Sequence, residues 1–163
     1  MGSDTTYMID NCGQVVNRWI SSYRPSLSAY FTEDGYLWRT AKANPIFNMS
    51  GAGGKIEKYD WQGNLIWNYD FCDSNRCQHH DIEVLPNGNV LILAVEKKSA
   101  SACIAKGKDP SKIPASNELW FEMLVEIEPS GLNSGNIVWE WHVWDHLVQD
   151  FDCLLYTSDA ADE

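Results

Sequence analysis

The sequence is poor in basic residues and has no long apolar run. Its 163 residues include 12 Lys and Arg against 23 Asp and Glu, which gives a formal net charge of −11. Nucleic acids and anionic membrane surfaces are polyanions, so this charge argues against both as main partners. No stretch reaches the ~18 consecutive apolar residues of a membrane-spanning helix, and no basic-then-apolar signal peptide is visible at Met1.

Aromatic residues, by contrast, are abundant. They make up 12% of the chain and include eight Trp and seven Tyr. Large flat side chains are favoured on strands, where they pack across a pleated surface. Composition therefore favours an all-β fold, and the length is sufficient for one domain with a real core.

The last eleven residues break the pattern of everything before them. Residues 153–163, CLLYTSDAADE, show no strand alternation and resemble the translation of a transposase-based sequencing adaptor. Such scars are excluded from reasoning about the fold. We therefore expect the natural sequence to occupy residues 1–152 and to be a truncated part of a larger protein.

Two kinds of hairpin alternate along residues 1–152. The first has an alternating strand, a Gly-bearing turn and a second strand containing Trp, and it recurs at residues 7–19, 56–67 and 124–141. The second carries Asp-Gly or Asn-Gly at its turn and occurs at residues 29–39 and 81–94. Period-two alternation indicates half-buried strands. Asp-Gly and Asn-Gly predict two-residue turns in which both residues have positive φ.

Alternation of the two hairpins makes four strands one structural unit. Trp19 and Trp67 are 48 positions apart, and Gly35 and Gly88 are 53 apart. A four-stranded repeat of about 40–50 residues is typical of a β-propeller blade. We therefore predict an all-β, partial β-propeller of about two to three blades. The alternative is a β-sandwich, which also uses short strands and Gly turns.

The most unusual local feature is His79-His80-Asp81, directly before the second Asn-Gly hairpin. In a propeller the first strand of each blade lines the central channel, so these side chains are candidates for catalysis or ligand binding. An imidazole can attack an electrophile or bind an oxyanion, and a carboxylate can fix the tautomer of a neighbouring imidazole. Because adjacent strand residues face opposite ways, only one His can point into the channel from a regular strand, and we favour His80. The competing interpretation is a pair of histidines that cap a turn.

A second aromatic and histidine cluster lies at residues 139–146. Trp139, Trp141 and Trp144 are candidates for an aromatic-lined wall or, alternatively, for blade core. His142 and His146 are four residues apart, so together with His79, His80 and Asp81 they would permit a metal site, which we do not favour. Arg39 is a candidate for anion binding, although a solvated surface position is the simpler expectation.

Three further features lie near these candidates. Cys72 and Cys77 would stiffen the loop before the His pair if they formed a disulfide, and a free thiol pair is the alternative. Residues 97–120 form an insertion with a short helix expected at 99–105. Residues 50–54, SGAGG, are expected to form a flexible loop, and Asn48-Met49-Ser50 matches an N-glycosylation acceptor.

Three segments together resemble the arylsulfotransferase (aryl-sulfate sulfotransferase) family. They are GKIEKYDWQGNLIW at residues 54–67, HHDIEVLPNGNVL at 79–91 and IVWEWHVWDHLVQDFD at 137–152. The resemblance implies a six-bladed propeller, periplasmic or secreted, that moves a sulfuryl group from an aryl sulfate to a phenol through a histidine. It implies no nucleotide donor and no other cofactor.

By the same resemblance, His80 or His79 would bind the sulfuryl group. Asp81, His142, His146, Trp144 and Arg39 are the further candidates for substrate binding. The family's nucleophilic histidine and anion-binding Arg would lie beyond Asp152, so we expect no turnover from this chain alone. The competing functions are a non-catalytic ligand- or protein-binding propeller and a metal-dependent lyase or hydrolase.

Overall fold

The computed structural model describes residues 4–43 and 51–147, which form an all-β structure of three antiparallel sheets. The strands are Thr5–Ile9 (β1), Val15–Ile20 (β2), Pro25–Phe31 (β3), Leu37–Lys42 (β4), Gly54–Tyr59 (β5), Leu65–Asp70 (β6), Arg76–Val84 (β7), Val90–Ser99 (β8), Glu118–Ser130 (β9) and Ser134–His142 (β10). The described helices are Ala100–Ala105 (α1) and two 3-10 helices, Pro110–Lys112 and Val143–His146. The adaptor-like tail and the glycosylation triplet lie outside the described residues.

Strands follow one another in chain order within each sheet. β1 and β2 form a two-stranded sheet, while β3–β6 and β7–β10 each form a four-stranded meander. Both predicted kinds of hairpin and the four-stranded unit are therefore confirmed, and so is the all-β class. The propeller arrangement of these units stays a prediction.

Four of the hairpin turns are built alike, and they correct the turn type. In each turn, the residue three positions before the Gly accepts a hydrogen bond from the Gly N–H at its carbonyl oxygen. Its own N–H donates to the carbonyl oxygen of the residue that follows the Gly, as Asp60 does with Gly63 and Asn64. Only the Gly has positive φ, for example 85° at Gly35 and 87° at Gly88. The expectation that both turn residues have positive φ was wrong, because this longer turn needs the left-handed conformation at one position only.

A one-residue β-bulge recurs in the first kind of hairpin. The extra residue is Val16 in β2, Ile66 in β6 and Val138 in β10. A bulge bends its strand and increases the local twist. Its repetition shows that the three hairpins share a register as well as a sequence pattern.

The sheets pack face to face in series. Trp19 of β2 packs on Leu37 and Tyr59, which project from one face of the β3–β6 sheet. From the opposite face of that sheet, Trp38 and Ile56 pack on the β7–β10 sheet. The main core residues are Trp38, Ile56, Trp67, Phe71, Ile82, Val90, Ile92, Ala94, Met123, Val125 and Ile127. Alternation along each central strand therefore gives the middle sheet two buried faces.

Indole hydrogen bonds join successive sheets. Trp19 Nε1 donates to the Asp60 carbonyl oxygen at 2.7 Å, and Trp67 Nε1 donates to the Ser134 carbonyl oxygen at 2.7 Å. Asp60 and Ser134 both lie in or beside the turn of the next sheet's last hairpin. Trp19 and Trp67 therefore each hold one sheet to the one that follows, from positions two residues apart in the shared register.

The predicted insertion is confirmed, with narrower bounds. β8 extends to Ser99 and β9 begins at Glu118, so the connection covers residues 100–117. Its helix α1 falls within the predicted 99–105 and is capped by the Ser99 hydroxyl, which accepts from the Ala102 N–H. The flanking residues continue the β8–β9 ladder, because Lys97 and Lys98 pair with Trp120 and Leu119.

Candidate functional site

The candidate site lies where the first strands of the two larger sheets approach each other. Both strands carry the same wide bulge, in which three residues stand opposite one. In β3 these are residues 26–28, between the pairs Pro25–Ala41 and Ala29–Arg39. In β7 they are residues 79–81, between Gln78–Ala94 and Ile82–Ile92. The His-His-Asp motif therefore occupies a position that the repeat distorts in both sheets.

The bulge is why both histidines can serve one site. His80 has a φ of 52°, in the left-handed region that non-Gly residues seldom adopt. Gln78 is fully buried, and its Nε2 donates to the Asp81 carbonyl oxygen across the base of the bulge at 3.5 Å. The alternation expected of a regular strand does not apply here, so His79 is buried while His80 is exposed and the two rings still touch.

The glycine-rich segment lies against this bulge. The His80 N–H donates to the Gly51 carbonyl oxygen at 2.9 Å, and the Gly53 N–H donates to the Gln78 carbonyl oxygen at 3.1 Å. Ala52 forms a β-bridge with His79. A Cβ at Gly51 would overlap the His80 ring. Residues 51–54 are therefore paired with the bulge backbone, and glycine permits this close approach.

Three ionisable side chains form a continuous chain of hydrogen bonds. His79 Nε2 lies 2.7 Å from Glu122 Oε2, and His79 Nδ1 lies 2.7 Å from His80 Nδ1. Glu122 comes from β9, where it pairs with Val95 of β8. The buried His79 thus connects a half-exposed carboxylate to the exposed His80 ring.

Asp81 faces the first strand of the neighbouring sheet. Its Oδ1 accepts from the Tyr30 hydroxyl at 2.7 Å and from the Ile82 N–H at 2.8 Å. The hydrogen bond to Asp81 raises the pKa of Tyr30 above its ordinary value, and partial burial and the charges of Asp81 and Glu83 raise it further. Tyr30 therefore stays a neutral donor, because deprotonation would place two negative charges together.

A cleft of about 360 Å³ opens between the two bulges. Its lining combines Leu27, Ser28, Ala29 and Tyr30 of β3 with His80 and Asp81 of β7. Leu27 is 61% exposed and offers apolar surface, while Ser28, Tyr30 and His80 offer hydrogen-bonding groups. The cleft can therefore hold a small ligand that has one apolar end and one polar end.

Comparison with known proteins decides the family. The family described as Arylsulfotransferase (ASST) matches residues 2–163. The chain belongs to the arylsulfotransferase family. A search of the curated proteins finds no match to this chain.

In this arylsulfotransferase-family chain, His79, His80 and Asp81 are together, and the second cluster lies elsewhere. His142 is connected to Gln78 by a row of paired residues that crosses the sheet from β10 to β7. The two residues are therefore three strands apart, a distance of roughly 14 Å at the usual strand spacing. His142 Nδ1 lies 3.0 Å from Glu96 Oε1, and the His146 ring stacks on Trp141. The structure therefore separates the two histidine pairs that the sequence offered together.

The tryptophans of the second cluster lie outside the core. Trp139 is 46% exposed and Trp141 is 36% exposed on β10. Trp144 packs edge-on against Phe121 at 5.1 Å, and Lys98 and Lys106 lie over its ring. These side chains are thus exposed or half-buried in the described residues, and the choice between an aromatic wall and blade core stays a prediction.

Arg39 is internal, so the expectation of a solvated surface side chain was wrong. It is 1% exposed, and its Nε lies 2.8 Å from Glu57 Oε2. Its two terminal nitrogens donate to Thr6 Oγ1 and to the Tyr23 carbonyl oxygen. Each guanidinium nitrogen thus has a partner inside the fold, and none of these partners lines the cleft.

The cysteine alternative is settled in favour of a disulfide. Cys72 and Cys77 are bonded, and their sulfurs lie beside Gly54, where a Cβ would clash with Cys72. The bond closes the loop two residues before His79.

Among residues 4–43 and 51–147, no cluster of three His, Cys, Asp or Glu side chains could hold a metal ion. In the same ranges, no helix is long and apolar enough to span a membrane.

Sequence reasoning missed Glu122, Tyr30 and the lining residues of β3. Glu122 is 43 residues from His79, and only the β8–β9 pairing brings it close. Leu27 and Ser28 occupy the same bulge positions as His80 and Asp81. An alignment of the two second-kind hairpins extended toward their N-termini could have identified these two residues as site positions.

Proposed function

We propose that this chain supplies part of the acceptor and donor site of an aryl-sulfate sulfotransferase. The parent protein transfers a sulfuryl group from an aryl sulfate to a phenol through a histidine. The observation that carries the proposal is the cleft between the two bulges, which combines apolar surface on Leu27 and Tyr30 with the polar groups of Ser28 and His80. Family membership supports the substrate class.

In this proposal the aryl ring lies on the apolar side and the sulfuryl oxygens face His80 and Ser28. A nucleophilic histidine nitrogen attacks sulfur, the new N–S bond forms, and the S–O bond to the aryl group breaks to release a phenolate. The acceptor phenol then attacks sulfur, the N–S bond breaks, and the phenolic proton passes to a base. Positioned donors stabilise the charge on the transferring oxygens.

We assign His80, with His79 behind it, to binding the sulfuryl group, and the nucleophile to a residue outside this chain. The described cleft lining includes no Lys or Arg that could offset the charge of the anion. We accordingly propose that the chain alone binds aryl sulfate weakly and does not turn it over. Export to the periplasm or beyond is part of the proposal, since disulfides such as Cys72–Cys77 persist in oxidising compartments.

The test is binding and turnover of para-nitrophenyl sulfate by the purified chain. We expect chemical-shift changes at His80 and Ser28 that His80→Ala abolishes, and no release of nitrophenol. His146→Ala is the matched control, because that ring stacks on Trp141 away from the cleft. Binding that survives His80→Ala would overturn the assignment and favour a non-catalytic binding module. Nitrophenol release that His80→Ala abolishes would contradict inactivity.

We also propose that the three sheets are successive blades of a six-bladed propeller. Their shared turns, shared bulges and serial packing support this arrangement. Trp139 and Trp67 each directly follow the bulge residue of their strand. Trp139 is exposed, whereas Trp67 is covered by the following sheet. Sequencing the gene through the codon of Asp152 from unfragmented DNA tests the proposal. Further Gly-turn hairpins with channel His and Arg would support it, and a frame that ends at Glu163 would contradict it.

A further inference from the structure

The hydrogen-bond chain at the bulge determines which nitrogen of His80 carries its proton. Glu122 Oε2 is a carboxylate oxygen and can only accept, so the 2.7 Å contact requires a proton on His79 Nε2. A neutral His79 then has a bare Nδ1, which accepts. With His79 neutral, the 2.7 Å contact between the two Nδ1 atoms places the proton on His80 Nδ1, whereas a protonated His79 would donate to a bare His80 Nδ1.

The remaining nitrogen of His80 is free for chemistry. His80 Nε2 has no hydrogen-bond partner within residues 4–43 and 51–147, and the His80 ring lines the cleft. A neutral His80 with its proton on Nδ1 presents a lone pair at Nε2. The tautomer of an imidazole is set by the hydrogen bond of its other nitrogen, which here comes from His79.

We infer that Glu122 and His79 are positioning residues that hold His80 as a base, with a lone pair on Nε2 of a ring that lines the cleft. The substrate class rests on the proposed function, whereas the tautomer does not. The phenolic acceptor loses its proton to His80 Nε2, the electron pair of the O–H bond stays on oxygen, and a new N–H bond forms. His80 becomes an imidazolium whose Nδ1–H still donates to His79 and whose new Nε2–H can donate to a sulfuryl oxygen, which is the contact that the proposed function assigns to it.

Geometry makes this arrangement suitable for the role. The positive charge that forms on His80 is one ring away from the Glu122 carboxylate, and the buried His79 transmits the polarisation between them. The His80 backbone is fixed by its N–H bond to Gly51, and Ala52 pairs with His79. A base that is held in one orientation loses little freedom when the proton moves.

The experiment reads the protonation of each imidazole nitrogen from its chemical shift in isotope-labelled protein. In the wild type we expect His80 Nδ1 protonated and Nε2 bare. Glu122→Ala should redistribute the His80 proton over both nitrogens. Glu122→Gln should preserve the wild-type tautomer, because its carbonyl oxygen still accepts from His79. Glu118→Ala is the control on the same strand, since Glu118 pairs with Lys97 instead.

Two results would overturn the inference. One is a wild-type His80 that carries its proton on Nε2, and the other is an unchanged His80 tautomer in Glu122→Ala with a native backbone spectrum. His79→Ala provides a second variant, for which we expect the same loss of tautomer preference. The measurement contains no aryl sulfate, so failure of substrate binding with an intact tautomer would count against the proposed function only.

Discussion

Arg39→Ile removes one half of an ion pair that lies almost entirely out of water. The Arg39 and Glu57 side chains are 1% and 2% exposed, and Nε and Oε2 are 2.8 Å apart. After the substitution, Glu57 keeps the Ser21 hydroxyl, which donates at 2.9 Å, but no cation. The Thr6 hydroxyl and the Tyr23 carbonyl oxygen also lose their partner.

The expected loss follows from leaving a buried charge without compensation. Removing one partner of a buried pair costs about 3–5 kcal/mol. Small domains have about 5–15 kcal/mol of stability, so the loss is a large share of the total. The third sheet supplies a natural comparison, because its register places Ile92 and Val125 where the second sheet has Arg39 and Glu57.

Urea unfolding followed by Trp fluorescence measures this loss as a change in the free energy of unfolding. Arg39→Ile should shift the midpoint strongly with little change in slope, because the buried surface stays similar. The double variant Arg39→Ile with Glu57→Val copies the third-sheet pair and removes the stranded charge. We therefore expect the double variant to be more stable than the single one.

The matched control is Arg18→Ile on exposed β2, which should change the free energy of unfolding by less than about 0.5 kcal/mol. A loss below about 1 kcal/mol for Arg39→Ile would refute the argument from burial. A double variant no more stable than Arg39→Ile would show that the lost hydrogen bonds to the β1–β2 hairpin, and not the stranded carboxylate, dominate the cost.

Two further predictions concern the cleft. Gly51→Ala and Gly88→Ala both place a Cβ at positive φ, 81° and 87°, and should each cost about 1–2 kcal/mol of unfolding free energy. Only Gly51→Ala should also shift the ring resonances of His80, and equal shifts in both variants would contradict the contact. Tyr30 should titrate above its ordinary pKa of 10.0, and Asp81→Ala should lower that pKa, as measured by phenolate absorbance. Because the raised pKa favours the neutral phenol in the folded state, this stabilisation is present below pH 10.0 and is lost as pH rises through the raised value. A Tyr30 pKa below 10.0 would contradict the prediction.

Much of the fold could be predicted from sequence because its signals are local. Gly35, Gly63 and Gly88 mark turns by the positive φ that each adopts, and alternation along the flanking residues marks the strands. Trp19 and Trp67 each hold one sheet to the next, although they differ by two positions in the register that the bulges set. The position of His79, His80 and Asp81 on a first strand followed from the same hairpin pattern.

Register and long-range pairing could not be predicted in this way. The wide bulge that lets His79 and His80 touch changes side-chain direction, and period-two reasoning assumes a regular strand. The burial of Arg39 depends on the β4–β5 register that places Glu57 opposite it. Residue type alone could not distinguish this internal ion pair from a surface cation.

The sequence by itself determined the all-β class, the alternating hairpins, the four-stranded unit and the family, because turn conformation and side-chain alternation are properties of neighbouring residues. Only the tertiary structure decided that Glu122 joins His79, that Tyr30 meets Asp81, and that His142 lies across the sheet from them. These contacts join residues more than forty positions apart. Their geometry is set by how the sheets pack and by which residues the ladders place opposite each other.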